Sequence, residues 1–347
     1  MVRREGGKSD AHSNRMSNDV PRNVFQRRKS EPVAIAVCAT LRKPDPSMFY
    51  QHRFFQSLAQ WLRRRVRLLL VAALSLPLAF AGCSQLVQKE RELLFRVVPG
   101  EASWYSGMPE GVVEASLPVA AGKQVQQVNS WWWPADDPAA PAVLYLHGAR
   151  WNLTGQLFRI QQLHDFGFSV LAIDYRGFGK SDGELPSEKT VYEDAHVAWD
   201  HLAQLQPDPK RRFIYGHSLG GAIAIDLASH LKQDDAARGL IVESSFTTLA
   251  DIAKSLSYPW LPLQLVLSQK FDAVDKIAQV AMPVLIVHGT DDRYVPSRFS
   301  EKLFEAAPGR KKLLLIEGGT HNNSMRVGES AYRRAFTELF GLNPRPA

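Results

Sequence analysis

A serine set between glycines, Gly216-His217-Ser218-Leu219-Gly220, follows the apolar run Phe213-Ile214-Tyr215 and precedes a small-residue helical pattern from Ala222. Gly-x-Ser-x-Gly between a buried strand and a helix forces a sharp turn, and the glycines two residues either side remove Cβ atoms that would collide. The turn presents Ser218 at a helix N-terminus, where the free N–H of Leu219 and the positive end of the helix dipole can stabilise an oxyanion. A nucleophilic serine needs a base, and the base needs an orienting acid. Both follow in order: His288-Gly289-Thr290-Asp291-Asp292-Arg293-Tyr294-Val295-Pro296 after the run Val284–Val287, and Glu317-Gly318-Gly319-Thr320-His321 after Leu313–Ile316. His321 is the only histidine beyond position 288, and the glycines before it let a loop bend its imidazole over the strand ends. Such a set performs acyl chemistry with no metal or organic cofactor. No phosphate-binding or metal-ligand pattern stands beside it.

These groups sit at the ends of runs that read as buried strands. Ala142–Leu146, Ser169–Ile173, Phe213–Tyr215, Leu240–Val242, Val284–Val287 and Leu313–Ile316 are continuous apolar stretches of the kind covered on both faces in a parallel sheet. Helix-length sequence separates them, including a helix ending near Phe166 and another from about Ser187 to Leu205. Strands alternating with helices predict an α/β protein with an open, mostly parallel sheet. Before them, Gln124–Val128 alternates apolar and polar residues and leads to Trp131-Trp132-Trp133-Pro134, read as a strand with two rings on one face and one on the other.

With these motifs in hand, the chain resembles the α/β-hydrolases, closest in pattern to the small-lid subgroup of depalmitoylating thioesterases and serine-aminopeptidase-like proteins. The resemblance covers roughly residues 120–342. It implies the α/β-hydrolase fold, with helices on both faces of a mostly parallel central sheet and a short lid. It implies a catalytic triad of Ser218, Asp292 and His321, because the family pattern His-Gly-x-x-Asp-x-x-Val-Pro selects the second aspartate. It also implies that the backbone N–H of Ala149, after His147-Gly148, joins that of Leu219 in an oxyanion hole. Asp174-Tyr175-Arg176-Gly177 and Asn152 match family positions, with Asp174 expected to hold its loop by backbone hydrogen bonds. His147, His217 and His288 are expected to pack or turn rather than act as bases, and Arg150 lies near the pocket. Ser257-Tyr258-Pro259-Trp260-Leu261-Pro262-Leu263 falls where the family inserts lids; it either walls an acyl pocket or covers the sheet edge. The implied activity is hydrolysis of small-molecule carboxylic esters or thioesters, with a peptidase of short peptides or a non-catalytic binding lipoprotein as alternatives.

The whole chain has a formal net charge of +7, but up to Gly82 there are 15 Lys and Arg against 5 Asp and Glu, and beyond it 27 against 30. The basic character therefore belongs to the N-terminal piece, which removes the support for a nucleic-acid partner. Arg63, Arg64, Arg65 and Arg67 precede the apolar segment Leu68–Ala81, in the order of a signal-peptide n-region and h-region. Phe80-Ala81-Gly82-Cys83 resembles a bacterial lipobox, which implies cleavage before Cys83, lipid attachment there and a place in the bacterial cell envelope, held to a membrane by the lipid. Met48 gives such a signal peptide an ordinary length, so residues 1–47 are either a disordered basic tail or an over-extended start. Cys38 and Cys83 are the only cysteines. The expected organisation is a basic extension and signal peptide (1–82), a tether and first strand (83–119), and the hydrolase domain (120–347).

Overall fold

The computed structural model describes residues 46–232, 237–256, 260 and 262–342. Cys38, most of the N-terminal tail, and Ser257-Tyr258-Pro259 and Leu261 of the lid segment lie outside the described residues. The chain divides into two compact units, Met1–Leu70 and Val71–Ala347. Of the first, residues 46–70 are helical, the opening part of α1 (Pro46–Phe95). Among the described residues no helix is long and apolar enough to cross a membrane.

The second unit continues through β1 (Val113–Ala121), β2 (Gln124–Trp133), β3 (Ala142–Leu146), α2 (Leu153–Asp165), β4 (Ser169–Ile173), α3 (Glu188–Leu205), β5 (Arg212–His217), α4 (Leu219–His230) and β6 (Gly239–Glu243). Then come α5 (Leu249–Leu256), α6 (Leu263–Val266), α7 (Ala273–Ile277), β7 (Val284–Gly289), α8 (Arg298–Ala306), β8 (Lys311–Ile316), α9 (Ser324–Val327) and α10 (Glu329–Ala335). Among the described residues eight strands form one sheet in the order β1-β2-β4-β3-β5-β6-β7-β8. β1 and β2 are antiparallel to their neighbours; β4, β3 and β5 to β8 run parallel.

Period-two alternation in β3 shows how the sheet is covered. Leu144 and Leu146 join a core with Val191, Trp199, Ile223 and Leu303 of the helices on one side. Val143 and Tyr145 join another with Ile160 and Leu163 of α2 and Tyr332 of α10. The tryptophan run behaves as the strand period requires: Trp131 and Trp133 are buried in the second core, and Trp132 packs against the first. Helix starts are capped as their sequences allow. Asn152 accepts the N–H of Thr154 at the head of α2, and Ser187 forms a capping box with Thr190 at the head of α3.

The segment from Cys83, read from sequence as a tether, contains a docked helix end. Phe95 is fully buried and meets Phe178 and Phe271 edge-on at centroid distances of 6.4 and 6.3 Å. Glu90 accepts hydrogen bonds from the Ser268 N–H (2.8 Å), the Ser268 hydroxyl (2.7 Å) and the Gln269 N–H (2.8 Å). Arg91 donates to the Pro186 carbonyl at 2.7 Å. These contacts join residues far apart in sequence, so local patterning gives no sign of them.

Candidate active site

The turn from β5 into α4 holds Ser218 at φ 56°, ψ −119°, a conformation costly for a residue with a Cβ. Close packing on either side fixes it. A Cβ on Gly216 would lie 2.2 Å from the Gly220 carbonyl oxygen, and one on Gly220 would lie 2.0 Å from that of Leu146. The Ser218 N–H donates to the Glu243 carbonyl at 2.9 Å, and the Ser218 carbonyl accepts from the Ser245 hydroxyl at 2.9 Å. The serine is thereby pinned across β5 and β6 while its half-buried hydroxyl faces the cavity above the strand ends.

The loops after β7 and β8 bring Asp292 and His321 to it. His321 Nδ1 lies 2.7 Å from Asp292 Oδ2, and Nε2 lies 3.1 Å from Ser218 Oγ. A carboxylate accepts, so Nδ1 carries the proton, and Nε2 is left with a lone pair toward the serine hydroxyl. Asp292 Oδ1 accepts the N–H groups of Tyr294 (2.8 Å) and Val295 (2.9 Å). Oδ2 also lies 3.3 Å from Nε2 of buried His288. Burial pushes the Asp292 carboxyl up, but the hydrogen bonds from His288, His321 and Val295 outweigh it and hold the group well below the usual carboxylate range. Asp291 is exposed and takes no part in this network. His288 is the turn histidine the sequence suggested: its Nε2 donates to the Val295 carbonyl, and its Nδ1 accepts from the Ser300 hydroxyl, each at 2.7 Å.

The loop after β3 also runs along Ser218; a Cβ on Gly148 would stand 3.1 Å from the serine Cβ. Ala149 and Leu219 both line the cavity there. Neither N–H has a hydrogen-bond partner among the described residues. The next residue, Arg150, has φ 84°. Its N–H donates to the Phe95 carbonyl at 2.8 Å and its own carbonyl accepts from Val98 at 2.9 Å, so the docked helix end fixes this loop. Arg150 is exposed at the cavity edge, its guanidinium over the Trp151 ring.

Next to His321 lies a buried polar layer that sequence reasoning missed. Glu243, at the end of β6, is fully buried against Arg159 of α2, with Oε2 to Nε 3.2 Å. The Tyr215 and Ser324 hydroxyls donate to the same carboxylate. Burial alone would raise its pKa, but Arg159 lowers it to about 2. Arg159 then donates through Nη2 to the His321 carbonyl at 3.0 Å, and His217 Nε2 donates to that same oxygen at 2.8 Å. Burial, and next the nearby Arg159 charge, push the pKa of His217 well down and keep it neutral. Its Nδ1 has no partner among the described residues. The backbone of His321 is thus gripped by two side chains. An arginine on an amphipathic helix and a glutamate ending an apolar strand were the available signals, and neither says that the two meet.

Asp174 holds its loop as expected. It accepts the Leu153 N–H at 2.8 Å and lies within 3.3 Å of the Asn129 amide, and burial pushes its pKa up to about 6. Burial lowers His147 to about 4, where it is neutral, and its carbonyl accepts from Tyr175 at 3.1 Å. Elsewhere, His196, Asp226 and His230 lie close enough to share a metal ion. Lys276 already sits 2.7 Å from the Asp226 carboxylate and supplies a cation there.

Residues 137–274 match the family model described as serine aminopeptidase, S33. An uncharacterized protein of Mycobacterium tuberculosis strain H37Rv is 35% identical over 240 residues, covering 65% of this chain and 83% of that protein. The lysophosphatidylserine lipase ABHD12 of Danio rerio is 31% identical over 232 residues, covering 61% of this chain and 60% of that protein. Among solved structures, a Pyrococcus furiosus esterase superposes with a TM-score of 0.55 at 19% identity, covering 71% of this chain and 98% of that one. At that identity the likeness concerns the fold alone.

Proposed function

The chain belongs to the serine aminopeptidase S33-like family of α/β-hydrolases, and from that membership we propose that it hydrolyses carboxylic esters or thioesters through an acyl-enzyme on Ser218. The observation that carries this reading is the continuous line from Ser218 Oγ through His321 (3.1 Å) to Asp292 (2.7 Å). In the acylation step His321 Nε2 takes the hydroxyl proton as Oγ attacks the acyl carbon. Asp292 stabilises the imidazolium and fixes its tautomer. The carbonyl oxygen, now negative, is met by the N–H groups of Ala149 and Leu219 at the head of α4. Collapse of the tetrahedral adduct expels the alcohol or thiol with the proton from His321. Water activated by the same base then releases the acid.

Ser218→Ala tests this directly. The variant is expected to lose labelling by a fluorophosphonate probe and to lose roughly 10⁴-fold or more in turnover of p-nitrophenyl esters. Parent-like labelling and turnover in the variant would remove the mechanism. A thioester and an aminoacyl amide run beside the esters separate the three leaving-group classes.

The arginines before the apolar segment and the exposed thiol of Cys83 support lipid attachment at that residue, with the enzyme held at the surface of a cell-envelope membrane. Mass spectrometry of the membrane fraction is expected to find a chain beginning at lipid-bearing Cys83; a soluble chain retaining the arginine cluster would discard that address.

A further inference from the structure

The cavity over Ser218 has a volume of about 800 Å³, far more than a short acyl group fills. Its two ends differ. Around the nucleophile the lining is polar: His217, Ser218, Tyr294, His321 and Asn322. Away from it the walls are mainly aliphatic, with Lys89, Glu90 and Arg96 interspersed on the α1 side. Leu249 and Ile252 of α5, Leu263 and Val266 of α6, and Leu86 and Leu93 of α1 all contribute to them.

Several of these side chains are unusual for a protein surface. Leu93 is 75% exposed, Leu86 69% and Val266 65%, so two apolar faces stand open toward a shared space. The helix bearing Leu86 and Leu93 is not loosely placed. The Glu90 carboxylate ties it to Ser268 and Gln269 beside α6, and buried Phe95 anchors its end. A cavity of this volume, lined away from Ser218 largely by Leu, Val and Ile and opening onto the serine hydroxyl, suits an unbranched hydrocarbon chain whose carbonyl reaches Ser218.

Resting on the assignment of Ser218 as nucleophile, we infer that the occupant is the chain of a long-chain acyl ester or thioester, and that the helix Cys83–Phe95 is the wall that sets its length. The segment preceding the hydrolase domain is then part of the binding site. Deacylation follows the scheme above without change: the ester bond breaks, the acyl chain leaves as a carboxylate, and water supplies the oxygen.

The test uses the full chain and p-nitrophenyl acetate, octanoate and palmitate. Each methylene fully withdrawn from water is worth about a fourfold gain in kcat/KM, and roughly half that gain per methylene in a partly open cavity, over the six that separate octanoate from acetate, gives an expected parent ratio on the order of a hundredfold. Leu93→Trp and Leu86→Trp, at exposed positions that leave the fold intact, narrow the slot and are expected to lower the long-to-short ratio roughly tenfold. A second readout does not depend on chemistry: binding of a pyrene-labelled dodecanoate to Ser218→Ala protein, weakened by adding Leu93→Trp. A parent ratio that is flat or falls with chain length, a ratio unchanged in both tryptophan variants, or no binding of the fluorescent acid would overturn the inference. Failure of Ser218 as nucleophile shows instead as retained fluorophosphonate labelling in Ser218→Ala, with fatty-acid binding still reporting on the slot.

Discussion

The two sides of the cavity over Ser218 are built on opposite terms. On one side Asp292 and His321 are held by named hydrogen bonds: Asp292 by two backbone N–H groups, His321 by Asp292 through its ring and by Arg159 and His217 through its carbonyl. On the other side aliphatic side chains of α1, α5 and α6 enclose space without specifying any one geometry. Directional contacts lose most of their value within a few tenths of an ångström, whereas apolar burial scales with area. Changes on the first side should therefore be close to all-or-none, and changes on the second graded.

The largest expected effect is at the acid. Asp292→Asn keeps the shape but removes the acceptor that selects the His321 tautomer, and a loss near 10⁴-fold in kcat is expected. Asp291→Asn, one residue earlier and exposed, is expected to stay within about threefold. Steady-state kinetics on both variants, with thermal melts to confirm folding, decide between them; equal losses would reverse the choice of acid.

Next in size is the buried layer. Arg159→Met leaves Glu243 charged and unpaired in the core, for which about 3–5 kcal/mol of stability is expected to be lost. The acid limb of a stability profile supplies a second measure. The folded pKa of Glu243, about 2, lies below its ordinary value of 4.5. Its contribution is therefore fully present above about pH 4.5 and drains away as pH falls toward 2, at a cost of about 3 kcal/mol. Glu243→Gln is expected to flatten that part of the profile. An unchanged acid limb would mean that Glu243 is not ionised in the fold.

The same contrast explains what the sequence revealed. The meeting of Ser218, Asp292 and His321 was legible because each sits in a short motif whose backbone requirement is local: glycines at 216 and 220 for the elbow, Gly289 at the end of β7, Gly318 and Gly319 before His321. The strands were legible because β3 to β7 are short apolar runs. Arg159 and Glu243 are 84 positions apart, and nothing in either neighbourhood encodes the other. The wall at Leu86–Leu94 was hidden for a related reason. Its leucines have helical spacing of no special kind, and Glu90 meets its partners only across nearly 180 residues.

The smallest expected effect probes how firmly that wall is held. Glu90 accepts from two backbone N–H groups and one hydroxyl next to α6. Glu90→Gln keeps the length and one acceptor oxygen but removes the charge, so the loss is of the order of one hydrogen bond, about 1 kcal/mol. Phe95 remains buried and continues to anchor the helix end, which confines the effect to the turns before it. Local opening is the matching observable, because a 1 kcal/mol change in an opening equilibrium speeds amide exchange about fivefold without touching global stability. Hydrogen exchange is expected to show that acceleration for amides between Glu90 and Leu94 and none for those between His288 and Val295. Acceleration in both segments would mean that wall and catalytic side open as one unit, and the contrast drawn between them would fail.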